Sequence, residues 1–160
     1  MNPYASYLGN QDAIQVLEST PSRLRQLAAT LGEARVNQAP APGKWSPREV
    51  FIHLADCEIA FSFRYRQTLA EDNHTVQPFD QDKWAKPYAA YWAEEALSTF
   101  TALRNWNLRL FRSLAAEQFG KAVMHPERGQ ETLKTLIEIS AGHDLNHLQR
   151  LDAIANKPAA

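Results

Sequence analysis

The chain has 160 residues, of which 44% are hydrophobic and 22% charged, and its formal net charge is −1. That length suits one domain spanning 1–160 with a core of its own, and the ordinary apolar-to-charged balance argues against disorder. Charges of both signs are interleaved without a basic stripe, which disfavours nucleic acid and anionic membranes as partners.

Met1 to Gly9 has neither the basic region nor the apolar run of a signal peptide. No apolar run approaches the roughly 18 residues needed to span a membrane. The lone cysteine, Cys57, leaves no internal disulfide framework and fits a reducing compartment. The expectation is a cytoplasmic protein without membrane or nucleic-acid partners.

The first helical region runs from about Asn10 to Leu31, with Ile14, Leu17, Leu24, Leu27 and Leu31 at roughly helical spacing. Pro21 reads as a kink or restart within it, and Gly32 as its end. Ala39 to Gly43 (APAPG) is a loop. The second helix has the clearest start. Ser46 is a good N-cap, Pro47 fits the first helical position, and Glu49 completes a capping box, with Trp45 before them poised to staple onto Val50. Its apolar stripe is Val50, Leu54, Cys57, Phe61 and Tyr65, widened by Ile52 and Ile59, and it fades around Ala70. Glu71 to Tyr91 is a long polar and aromatic connection of the kind that covers a surface or carries function.

A third helix spans roughly Trp92 to Ala115, with Leu97, Phe100, Leu103, Leu108 and Phe111 inward. A connection through Phe119, Met124 and His125-Pro126 follows. The fourth helix runs from about Thr132 to Ala155 on the stripe Leu133, Ile137, Ser140, Asp144, His147, Leu151 and Ile154. No segment shows sustained β alternation. The fold expected is all-α, a four-helix bundle with long connections.

His143 and His147 stand four residues apart in the last helix, which brings both imidazoles to one face, one turn apart, where they can share a metal ion. Both lie on or beside the apolar stripe, where a histidine must satisfy two ring nitrogens. His53 is the natural third ligand: it lies beside the stripe of the second helix, near the small Ala60. Three neutral imidazoles leave a coordination position open, the pattern of catalytic zinc sites, although imidazole also suits nickel, copper and iron. The competing reading is that all three are satisfied core residues. Asp56, three residues after His53, is either a catalytic or supporting carboxylate or a solvated one. Asp144 either orients a histidine or pairs with Arg150. Asp80 and Asp82 read as polar loop residues. Cys57 reads as core filler without an activating base, and His74 and His125 as solvent-facing loop residues. Trp84, Tyr88, Tyr91 and Trp92 either wall a pocket or pack the connection onto the bundle.

KWSPREVFIHLADCE (44–58), FDQDKWA (79–85), HPERGQETLKTLI (125–137) and AGHDLNHLQRL (141–151) together resemble the DinB-like superfamily of bacterial four-helix proteins, in matching order and spacing over nearly the whole chain. The resemblance implies a divalent metal, often zinc or nickel, held by three histidines. Carried onto this sequence, these are His53, His143 and His147. It further implies activities such as S-transfer from low-molecular-weight thiols or maleylpyruvate isomerisation, and a homodimer. The functional expectation is a metal-dependent transferase or hydrolase acting on a small molecule. The alternative is a non-catalytic metal- or ligand-binding helical module.

Overall fold

The computed structural model describes residues 2–72 and 74–157. A one-turn helix α1 (Ala5–Leu8) precedes four long helices: α2 (Ala13–Val36), α3 (Pro47–Ala70), α5 (Ala93–Arg112) and α6 (Leu133–Ala155). Between them lie a short α4 (Gln81–Trp84), two 3₁₀ turns, and strands β1 (Ala122–His125) and β2 (Gly129–Thr132). The long helices pack as a bundle in which α3 lies beside α5 and α6, and α2 beside α6 and α5.

The helix boundaries follow local chemistry. Ser46 accepts from the Glu49 backbone N–H while the Glu49 carboxylate accepts from the Ser46 N–H at 2.7 Å, the reciprocal capping box read from the sequence. Asp12 caps α2 and Thr132 caps α6. Helical geometry breaks at Gly32, as its position suggested: it adopts φ 68°, a left-handed conformation open to glycine, and a second helical segment continues beyond the kink to Val36. Pro21 lies inside α2, so the carbonyl of Leu17 loses its helical donor; Arg104 of α5 supplies one, with Nη1 3.1 Å from that oxygen.

The small hairpin was not foreseen. β1 and β2 pair antiparallel with His125 opposite Gly129, and residues 74–76 join the exposed side of β1 through Val76 N–H to Met124 O at 2.9 Å and Met124 N–H to His74 O at 2.9 Å. Two inward expectations also shift: Ile59 is 47% exposed, and on α5 it is Arg104, with 1% exposure, that occupies the deep position next to half-buried Leu103.

The core divides into two apolar clusters. One gathers Leu17, Phe61, Tyr65, Phe111 and Leu133; the other gathers Leu24, Phe51, Leu54, Phe100 and Leu151. On each long helix the switch between clusters falls at a buried polar residue: Thr20 on α2, His53 to Glu58 on α3, Arg104 on α5 and His143 to His147 on α6. The bundle therefore carries a polar belt at mid-height. Half of the belt is ionic. Arg104 clamps Glu58 with Nε and Nη2 at 3.0 and 2.8 Å and reaches Asp144 with Nη1 at 2.7 Å. Asn107 donates to Glu58 at 2.8 Å and to Ser62 at 2.7 Å, so the buried carboxylate is fully engaged. The other half is made of histidines.

Candidate metal centre

α3 carries His53 and α6 carries His143 and His147, and because these helices are neighbours the three imidazoles meet inside the bundle. All three are buried, at 2%, 7% and 5% exposure. His143 Nε2 stands 3.1 Å from His53 Nε2 and 3.1 Å from His147 Nε2. A neutral imidazole nitrogen has one proton or one lone pair in the ring plane, so His143 Nε2 can satisfy only one of these neighbours. Among the described residues, His147 Nδ1 is buried with no hydrogen-bond partner at all. Two nitrogens bound at about 2.05 Å to one tetrahedral ion stand about 3.3 Å apart, and in cis positions of a six-coordinate ion about 2.9 Å. The two observed separations of 3.1 Å lie between, so the His53–His143 and His143–His147 pairs each have the spacing of two donors to one divalent ion.

Burial is the main electrostatic fact here. Desolvation depresses His53 to about 4 with help from the positive charge of Arg150, and His147 to about 3 with help from His53 and Arg150. Desolvation, then His147 and His53, hold His143 well below the usual imidazole range. At neutral pH all three rings are uncharged and able to donate lone pairs.

The walls come from further away in the chain. Trp45, just before the cap of α3, packs against His53 with ring centroids 4.9 Å apart. Tyr4 meets His143 edge-on at 5.2 Å. That approach depends on Gly142: a Cβ there would lie 2.6 Å from the Tyr4 carbonyl oxygen. Cys57 lies one turn along α3, its Sγ 3.5 Å from His53 Nε2 and 3.8 Å from Nδ1. Its ligand atom lies within 4.8 Å of those of His53 and His143. Burial pushes its thiol strongly up, and Asp56 and Asp144 add to the effect, so it is a neutral thiol.

Other singled-out residues have definite places. Asp56 is half-buried and accepts from the Tyr88 hydroxyl at 3.1 Å; desolvation raises its carboxyl, with the Tyr88 hydrogen bond acting in the opposite direction. Asp144 pairs with neither Arg150 nor a histidine. It binds Arg104, because that guanidinium is buried beside it while Arg150 is exposed. His125 is not solvent-facing but 4% exposed, and its Nδ1 accepts from the backbone N–H groups of Glu127 and Arg128 at 3.2 and 3.3 Å, closing the hairpin turn. His74 has a side chain only 11% exposed, beside Glu71. Asp80 caps α4, and Asp82 lines a cavity next to His147. Of the connection's aromatics, Tyr88 is buried against Trp45, whereas Trp84, Tyr91 and Trp92 are exposed. Sequence reasoning missed Tyr4 and Arg104 entirely. The signal for Tyr4 was Gly142, a helix-interior glycine next to a ligand candidate.

A family model described as the DinB superfamily matches residues 16–151. The chain belongs to the DinB superfamily. Among relatives of this DinB chain, the YfiT protein of Bacillus subtilis (strain 168), provisionally named a metal-dependent hydrolase, is 24% identical over 147 residues, covering 90% of this chain and 83% of that protein. A protein of the same provisional name from Oceanobacillus iheyensis is 27% identical over 145 residues, covering 90% and 84%. The solved structure of Bacillus subtilis YfiT, described as having an unusual four-helix bundle topology, superposes with a TM-score of 0.81 at 25% identity, over 89% of this chain and 83% of that one. The all-α bundle and the DinB family are therefore established for this chain, and its relatives carry metal-dependent names.

Proposed function

We propose that His53, His143 and His147 hold one divalent ion, zinc or nickel, through their Nε2 atoms, and that the chain is a metal-dependent enzyme acting on a small molecule. The observation that carries this reading is the convergence of three buried, uncharged Nε2 atoms at 3.1 Å spacings around His143. The metal-dependent names of its relatives agree with it.

Cys57 is the rival third donor, and its geometry speaks against it. A sulfur sharing a tetrahedral ion with His53 Nε2 would lie about 5 Å from Nδ1, because the ion sits in the ring plane beyond Nε2. The thiol is 3.8 Å from Nδ1 and 3.5 Å from Nε2, so it rests over the ring face as a packing neighbour.

His53, His143 and His147 would hold such an ion with a position left for water or substrate, and the bound ion would bring a water or thiol ligand toward ionisation near neutral pH. The chain's own residues do the rest. Trp45 and Tyr4 exclude bulk water from the imidazoles. Asp56, one turn from His53 and held by Tyr88, is assigned the proton-carrying role. Hydrolysis is the proposed reaction, and a low-molecular-weight thiol in place of water would make the same centre an S-transferase.

The test begins with metal analysis of protein purified without a histidine tag, expected to give about one divalent ion per chain. Metal-stripped and reloaded protein is then assayed on a panel of small esters, amides and electrophiles, with and without thiols. Turnover restored by metal alone assigns hydrolysis, and turnover requiring thiol assigns transfer. Turnover indifferent to chelation contradicts the proposal.

A further inference from the structure

Arg150 stands three residues beyond His147 on α6, which brings it to the same helix face. The two residues line one cavity of about 570 Å³, together with Lys44, Trp45, Gln81 and Asp82. That volume is typical of small-molecule sites. Arg150 is exposed, and among the described residues it makes no ion pair: the only carboxylate on the cavity wall, Asp82, lies beyond 4.0 Å of it. The lining therefore offers two positive charges, Lys44 and Arg150, against one negative. Trp45 joins this cavity to the histidine centre: it walls the cavity and packs on His53.

We infer that the small molecule handled here carries an oxyanion, a carboxylate or phosphate, which Arg150 binds in this cavity while the reacting group lies toward His147. A planar guanidinium that pairs with no carboxylate among the described residues matches such a group in charge and in its forked donor geometry. The aromatic face of Trp45 suits an apolar stretch between the anion and the reacting end. The inference rests on the proposed metal centre for the reacting end only; the anion contact stands on the cavity.

The probe is 4-phenylbutyrate, with its uncharged amide as the matched control, titrated calorimetrically into metal-free and zinc-loaded protein. The expected result is that the acid binds, and that Arg150→Gln weakens it about tenfold or more in both forms, as loss of a charged hydrogen-bond partner does. Arg150→Lys should recover part of the loss. The amide should bind weakly and alike to wild type and variant, and Arg109→Gln should leave the acid unaffected. Equal binding of the acid by wild type and Arg150→Gln overturns the inference, as does equal binding of acid and amide or no binding of the acid. Zinc titrations of the same proteins separate the two readings. If wild type takes up no zinc, the metal proposal fails, and the metal-free titration still decides the role of Arg150.

Discussion

Gly142 and His143 are adjacent residues that serve the same centre in opposite ways, one by having no side chain and the other by burying one. Gly142→Ala would drive a methyl group to 2.6 Å from the Tyr4 carbonyl oxygen and 2.7 Å from its Cβ. The expected result is a loss of about 1–3 kcal/mol in denaturant unfolding, with faster proteolysis of residues 2–9, as overpacking of a close contact requires. An unchanged N-terminal segment would mean that Tyr4 does not need this approach. The histidines set a pH dependence. Their folded-state values lie below the ordinary 6.5, at about 4 for His53 and about 3 for His147, so the unfolded chain binds more protons between those limits. Stability of the metal-free protein is therefore complete above pH 6.5. It falls as pH is lowered through that window, by up to about 1.4 kcal/mol per pH unit for each histidine. Denaturant unfolding near pH 7.5 and near pH 5 checks this, and equal stabilities would contradict buried, uncharged rings. Two of the imidazoles were legible in the sequence because helical spacing alone aligns positions 143 and 147, and His53 because it borders an apolar stripe. Tyr4 was not legible, since nothing local ties it to the last helix.

At the scale of elements, α3 is the best-signalled helix, and its cap can be tested directly. Ser46→Ala should cost about 1 kcal/mol, read from the denaturation midpoint; no change would mean that the capping box contributes nothing. Arg104 is the opposite case. Helical periodicity marks the neighbouring Leu103 as inward, and only the fold brings Glu58 from α3, Asp144 from α6 and the Leu17 carbonyl freed by Pro21 in α2 around one guanidinium. Arg104→Met would leave two buried carboxylates unpaired, and the expected loss is about 3–5 kcal/mol in chemical denaturation. A loss below 1 kcal/mol would show the ionic half of the belt to be energetically neutral. The hairpin 122–132 escaped the sequence reading for a related reason. Its strands have four residues each, too few for alternation to register, and they depend on residues 74–76 and the His125 turn for support.

For the whole molecule, the apolar periodicity of four long helices was enough to give the bundle, which agrees with YfiT at a TM-score of 0.81. Among the described residues no helix is long and apolar enough to cross a membrane. What periodicity could not give is the polar belt between two apolar clusters, because it arises from side chains contributed by all four helices at one height. A belt holding three uncharged imidazoles that cannot all satisfy one another has a thermodynamic consequence. A divalent ion that binds the folded chain and not the unfolded one should raise the melting temperature with the logarithm of its concentration above Kd. The most direct test of the account is calorimetric titration of zinc and nickel into the metal-stripped protein and its five single His→Ala variants. The account predicts one ion per wild-type chain, a sharp fall in affinity for each of His53→Ala, His143→Ala and His147→Ala, and near wild-type binding for His74→Ala and His125→Ala. Undiminished binding by His53→Ala would break the three-histidine set, and undiminished binding by all five variants would remove the metal centre altogether.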